Sequence, residues 1–431
     1  MKPQLLGAIL ALIPSLSLAF EMSHSLKSQT SYGTSASDWQ QSDWRLDSEL
    51  YQGLENGEIT GILRSRFDLQ DKLNSDQTLN NYSAHSEPLT AGDHEWVELR
   101  ELYWQAGFDT SYWRIGKQQV VWGEADGIKL LDVINSQSYR EFILDDFDDS
   151  RIPLWMVNGE FQVGEEGTLQ ALWVLDTSTH ELAPSSSPFA FTSPVLVPDS
   201  AAVPAGVTAT LEEANTPAMT LENSDFGLRY TSFIDNWDYS LNYLYHYVDE
   251  AVISADLSGS SLTLTPDYKR SHLLGGSASS VFGDWVLRAE FAYETDRYHR
   301  TTASVPGVDK ADQWGILVGL DYQGMTDYLI SVQWFQSNLV GQTENLVKNR
   351  QENTLSLLVE RTLFNETLLL KWLHLHSTDH GDGVVQPQIS YNLESDFDVF
   401  LGTDIFYGNE GGLYGQFDEA DRISAGFEWG F

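Results

Sequence analysis

No cysteine occurs in the 431 residues, which excludes disulfide frameworks, thiolate zinc centres and cysteine nucleophiles. Lysine and arginine are scarce, 24 against 63 acidic residues, for a net charge of −39. Such a chain lacks the clustered cations that neutralise phosphates, so nucleic acid is not an expected partner. Beyond the N-terminus no stretch reaches the roughly 20 consecutive apolar residues of a membrane helix. Proline is sparse and uneven, with six of the thirteen (Pro184, Pro188, Pro194, Pro198, Pro204, Pro217) between Thr177 and Asn223. Aromatics, in contrast, are abundant at 20 Phe, 19 Tyr and 14 Trp, a composition foreign to disordered chains.

Residues 1–19 have the form of a secretory signal peptide. Lys2 supplies the positive start, Leu5 to Leu18 is mostly apolar, and Ser17-Leu18-Ala19 places small residues where a signal peptidase reads. Cleavage is expected after Ala19; a retained amphipathic segment is the alternative. Loss of Lys2 takes the net charge from −39 to −40.

Residues 20–431 show period-two alternation. Ile423, Ala425, Phe427, Trp429 and Phe431 alternate with Arg422, Ser424, Gly426, Glu428 and Gly430. Trp285, Leu287, Ala289, Phe291 and Tyr293 alternate with Arg288, Glu290 and Glu294, and the same contrast recurs along the chain. A soluble sandwich also alternates, but Trp and Tyr at the strand ends are where membrane barrels carry aromatic girdles. Connections such as 109–111, 164–167, 235–236 and 283–284 are short. Those between them, including 70–94, 123–152, 177–223, 249–270, 297–312, 338–352 and 407–419, are long. Periplasmic turns and extracellular loops sort in this way. The expected fold is all-β: one transmembrane antiparallel barrel of about 18 strands, or 16 if short strands are miscounted.

The terminal Phe431 preceded by Phe427 and Trp429 looks like the assembly signal of Gram-negative outer-membrane barrels. Gly116-Lys117-Gln118-Gln119-Val120-Val121-Trp122-Gly123-Glu124-Ala125-Asp126-Gly127, then Leu131-Asp132-Val133-Ile134-Asn135, is more specific. With Arg140-Glu141-Phe142 and Asp145-Asp146-Phe147-Asp148-Asp149-Ser150-Arg151-Ile152-Pro153, it resembles an outer-membrane family known as domain of unknown function 1302. That family is related to alginate-export-type porins. The resemblance implies an outer-membrane location, with lipid, lipopolysaccharide and the assembly machinery as partners and function beside an envelope exporter. It implies no substrate or catalytic residue.

If the aromatics face lipid, the opposite face lines the interior. This assigns Arg64, Arg66, Glu101, Arg114, Glu160, Arg229, Arg288, Glu290, Glu294, Glu360, Asp398 and Asp404 to the lumen, with Arg422 and Glu428. Buried charges must be paired or wetted. A polar permeation path and an ion-paired interior closed by loops are the two readings; charged walls would set ion selectivity.

The loop 123–152 carries Glu124, Asp126, Asp132, Glu141, Asp145, Asp146, Asp148 and Asp149 with Lys129, Arg140 and Arg151. Its apolar Tyr139, Phe142, Ile143 and Leu144 must be buried somewhere. Folding into the lumen would constrict it; covering the rim is the alternative. Arg140 and Arg151 are expected to reach Glu101 or Glu160, while Arg64, Arg66 or Arg114 hold the loop aspartates. No cofactor is expected. Asp145, Asp146, Asp148 and Asp149 suit a calcium ion in ligand type, but the central Gly and distal Glu of a calcium loop are missing.

The proline-rich segment 177–223, with Phe189 and Phe191, reads as a mobile surface loop or a collector of apolar ligands. His374, His376 and His380 with Asp379 and Asp382 offer a metal pair on one strand face or a solvated cluster. The sequence has no Gly-x-Ser-x-Gly elbow, His-Glu-x-x-His or phosphate loop. A channel is therefore expected rather than an enzyme. The competing classes are a barrel-embedded lipase or protease and a non-conducting partner of an exporter.

Overall fold

The computed structural model describes residues 20–70, 81–92, 94–125, 127–198, 206–303 and 305–431. The proposed signal segment, Asp126 and Pro204 lie outside them.

Eighteen long strands form one closed antiparallel barrel. They are β1 (Glu21–Gly33), β2 (Asp38–Leu54), β3 (Gly57–Asp68), β4 (Glu95–Phe108), β5 (Ser111–Gln118), β6 (Leu154–Val163), β7 (Gly167–Val174), β8 (Asp225–Ile234) and β9 (Trp237–Tyr247). There follow β10 (Arg270–Phe282), β11 (Trp285–Arg300), β12 (Val308–Tyr322), β13 (Tyr328–Val340), β14 (Gln351–Leu363), β15 (Leu368–Ser377), β16 (Asp382–Glu394), β17 (Phe397–Tyr407) and β18 (Arg422–Gly430). The ring closes where β1 pairs with β18, from Ser25↔Gly430 to Gly33↔Arg422. No helix of the described residues is long and apolar enough to cross a membrane.

Alternation sets the two faces. Leu241, Leu274 and Val332 are 63%, 55% and 49% exposed, whereas Asn242, Glu290 and Gln333 are 4%, 2% and 1%. An apolar outside over a polar inside is the pattern of a lipid-facing barrel. Rings gather near the short turns, as in Trp237–Phe282 and Trp285–Tyr322, with centroids 5.9 and 4.5 Å apart. Turn chemistry fits the hairpins: Asp235 and Asn236 take φ of 49° and 69°, the two positive values of a type I′ turn between β8 and β9.

The sorting of loops differs from expectation in five places. At the long-loop end, residues 34–37 and 378–381 are four-residue turns. The connections read as 297–312 and 338–352 shrink because the strand pairs extend beyond the apolar band, as in Arg297↔Ala311 and Asn338↔Gln351. Strand β5 ends at Gln118 rather than at Trp122, because the chain then leaves the wall and turns inward.

Candidate functional site

The β1–β4 wall concentrates the interior cations. Register places Arg45 beside Arg66 and Asp47 beside Arg64, all on the inward face. In β4 the ladder passes from Ile62↔Glu101 to Leu63↔Leu99, leaving Arg100 as an extra residue. This bulge sends Arg100 and Glu101 to the same side. A short helix, Phe147–Ser150, docks on this wall. Asp149 lies 2.6 Å from Arg45 Nη1, 3.0 Å from Arg64 Nη2 and 3.6 Å from Lys27 Nζ. Arg100 Nη2 donates to the carbonyls of Asp148, Asp149 and Arg151 at 2.6, 3.1 and 2.9 Å. Burial alone would raise the Asp149 pKa, but Arg45, Arg64, Lys27 and Arg100 outweigh it and hold the carboxyl far below its ordinary value.

Residues 119–135 cross to the opposite wall and return. Gln119 Nε2 donates to Glu101 Oε1 at 2.9 Å, and Trp122 Nε1 to Gln170 Oε1 on β7 at 2.8 Å. Arg229 Nη1 donates to the Val121 carbonyl at 3.2 Å. The Glu124 amide donates to Glu290 Oε1, and Arg288 Nη1 to the Glu124 carbonyl, each at 2.5 Å. Leu131 presses on Gly275 and Leu130 on Gly315 so closely that a Cβ on either glycine would sit 2.6 or 2.7 Å from a leucine methyl. Beneath lies an apolar core in which Val120, Trp122, Leu130, Leu131, Ile134 and Ile152 meet inward-facing Met156, Leu172, Val174, Leu244, Leu273, Ala292 and Leu317. The interior is therefore not uniformly polar: its β6–β12 sector is apolar near the long loops and covered by this chain segment.

A second excursion, 138–150, meets β15–β18. Phe142 packs with Phe406, Tyr414 and Phe417, its ring 4.7 Å from that of Phe417. Arg422 joins Glu141 at 2.8 Å and Asp404 at 2.7 Å, beneath the Phe189 ring 5.2 Å away. Burial raises the Glu141 pKa, with Arg422 opposing. Burial also pulls the Lys129 ammonium down to about 8, against the attraction of Asp132. Phe189 is buried and the amides of Thr192 and Ser193 donate to Gln416 Oε1. This part of the proline-rich segment is thus packed on residues 408–421, not loose on the surface as the composition suggested.

The remaining sequence-derived residues fall as follows. Arg64 pairs with both Asp47 and Asp149, and Arg66 bonds Asp43 at 2.6 Å with the loop's Asp145 close enough to act on its charge. Arg140 lies 3.7 Å from Glu181, and Arg151 holds Asp132 and Asp148 within its own loop, so neither reaches Glu101 or Glu160. Glu160 accepts from Gln170, Arg114 donates to Gln105, and Glu294 pairs with Arg297. Arg288 pairs with Asp321, Glu360 with Lys371 at 3.9 Å, and Asp398 accepts from Asn392 near the short turns. Asp146 meets Lys27 at 3.0 Å, and Asp145 lines a 370 Å³ cavity between the loop and β14–β16. Three of the four clustered loop aspartates thus face protein cations instead of one another. Among the described residues no group of three or more could hold a metal ion.

The histidine cluster is not one site. His374 and His376 face outward and share the Tyr407 hydroxyl at 2.8 and 2.9 Å. His380 turns to Glu352, while Asp382 accepts from the amides of Tyr414 and Gly415. At the C-terminus the Trp429 and Phe431 rings lie tilted with centroids 4.6 Å apart, and Phe431 exchanges both backbone hydrogen bonds with His24. Lys27, Arg45 and Arg100 were absent from the sequence reading. The Asp43/Arg45/Asp47 alternation against Trp44 and Leu46 signals Arg45; nothing local signals the bulge at Arg100.

A family model described as "protein of unknown function (DUF1302)" matches residues 64–361. Among curated proteins none matches the sequence. The fold is that of outer-membrane porins. It is similar to Acinetobacter baumannii OccAB3, with 11% identity, 96% of this chain and 99% of that one covered, and a TM-score of 0.53. Pseudomonas aeruginosa OccK2 (OpdF), solved in complex with glucuronate, is similar at 10% identity, 96% and 97% coverage and a TM-score of 0.53. Pseudomonas aeruginosa OccK8 (OprE) gives 10%, 96% and 97%, and 0.54.

Proposed function

The chain belongs to the family described as protein of unknown function (DUF1302), and from that premise we propose an outer-membrane channel whose lumen is narrowed by residues 119–153. The observation that carries this is the pinning of one loop to walls on opposite sides of the lumen, through Asp149 on β2–β3 and Glu124 on β10–β11. Such a loop limits the size of what passes, and the charges left along the inner wall sort it by sign. The barrel's apolar outer band supports an outer-membrane location.

The proposed selectivity is a modest preference for cations. OccK2 was solved with glucuronate, a carboxylate. In this chain, Arg45, Arg64 and Arg66 already face Asp43, Asp47 and Asp149, which reduces their pull on a passing anion. The net charge of −39 raises cation concentration near the mouths. Catalysis is the weaker reading: among the described residues Ser178, His246 and Asp249 line one pocket with Val133 and Ile134 of the loop, but Ser178 Oγ donates to Asp176 and not to a histidine. Reversal potentials across a KCl gradient in a planar bilayer test the proposal. A cation-selective conductance that weakens at high salt is expected; an anion-selective one at low salt would mean that the arginine wall governs.

A further inference from the structure

Strand β16 carries a proline inside the barrel wall. Its pairing with β15 is unbroken through Leu373↔Gln386 and Trp372↔Pro387. Across from β17 the ladder runs Gly383↔Tyr407, Val384↔Phe406 and Val385↔Ile405, then resumes only at Gln388↔Gly402. Gln386 and Pro387 have no ladder partner there. Proline lacks the N–H that the ladder needs, and a mid-wall break is costly where no water replaces the lost bond.

Each side of this break is hollow. Outside, a groove of 620 Å³ is lined by Trp372, Pro387, Ile389, Leu401 and Ile423. Ile389, Leu401 and Ile423 belong to the exposed apolar band that faces hydrocarbon. Inside, the 370 Å³ cavity is lined by Leu358, Leu373 and Leu375 against Ile143 and Leu144 of the loop. Lys371 and Gln388 line both spaces, so they are separated by the wall alone. Across the interruption Gln386 Nε2 donates to Asp404 Oδ1 at 3.0 Å, on the inner face.

We propose that the β16–β17 seam at Pro387 is a lateral site for a free fatty acid, which moves through it in its uncharged acid form between the bilayer and the lumen. The groove opens onto hydrocarbon, so an acyl chain is what fills it. Leu358, Leu373 and Leu375 continue the apolar surface inward, and beside them Asp145, Asp146 and Glu360 outnumber Lys371, which already pairs with Glu360 at 3.9 Å, so the head group passes uncharged. The inference rests on the barrel lying in a membrane, as proposed above, but not on its conducting ions.

A palmitate carrying a diazirine near its methyl end, added to the full-length barrel in phospholipid vesicles, tests the seam. Photolysis should label Trp372 or Leu401 outside and Leu373 or Leu375 inside. Pro387→Val restores the missing donor and should cut inner labelling by at least about tenfold while outer labelling persists. A disulfide between Ile389→Cys and Leu401→Cys, which are register partners beside the break, should do the same in the oxidised form and be reversed by reductant. Inner labelling that survives both closures would show entry from the mouth and overturn the proposal; so would its absence from the parent barrel. Ion conductance is recorded on the same proteins. Its loss in every form would count against the channel reading, while the labelling contrast would still decide the seam.

Discussion

Asp149 shows how one side chain fixes the position of a loop. It meets Arg45 at 2.6 Å and Arg64 at 3.0 Å, with Lys27 near, and such partly buried pairs contribute on the order of 1 kcal/mol each. Its carboxyl titrates far below the ordinary value of 3.8. A depressed carboxylate pKa gives stability that is complete above the unfolded value and lost as pH falls toward the folded one. Seating of residues 138–150 should therefore hold down to about pH 4 and weaken between about pH 4 and 2. Pepsin, which cleaves beside residues such as Phe142 and Phe147, reads this in the folded barrel. Asp149→Asn should be cleaved at pH 4 as readily as the parent is at pH 2. Glu141, raised by burial, titrates higher and with the opposite sign. The difference between parent and variant therefore isolates Asp149, and equal cleavage profiles would show that Asp149 does not hold the loop.

The loop 119–153 behaves as an internal element rather than a surface excursion. Its apolar face is buried on Gly275, Gly315 and the leucines of β7–β12, while Asp149 pairs with β2–β3 and Glu141 with Arg422 of β18. Gly315→Val adds a β-branched side chain that suits the strand but meets Leu130, since even a Cβ would lie 2.7 Å from its methyl. The barrel should fold to the same heat-modifiable form, while residues 128–132 become protease-sensitive; continued protection would place Leu130 elsewhere. Much of the wall was legible in the sequence, because alternation gives strand starts directly: Glu95, Trp237 and Trp285 begin strands where the connections 70–94, 235–236 and 283–284 end. The apolar need of Phe142 and Leu144 also marked the loop as one that must bury a face. Its partners were not legible. Leu172, Leu244 and Leu317 face inward, against the rule that the inner face is polar, and only the loop explains them. The bulge at Arg100 shifts register without a local signature, and Arg422 finds Glu141 across 281 residues of chain.

At the scale of the whole molecule, closure joins the two ends of the chain. Nine register pairs bind β1 to β18, and Phe431 completes them through His24. We propose that the Phe427, Trp429 and Phe431 pattern serves assembly as well as closure. Deletion of Phe431 should lower the heat-modifiable outer-membrane fraction several-fold, and an unchanged yield would confine these rings to packing. On the reading proposed above, the loop inside the closed barrel sets what the channel can pass. Single-channel conductance in a planar bilayer, compared between the parent and a barrel with residues 124–149 replaced by a short Gly/Ser linker, measures that directly. A several-fold larger conductance with weaker charge selectivity is expected of the trimmed barrel. A trimmed barrel that folds normally yet conducts as the parent does would contradict the constriction.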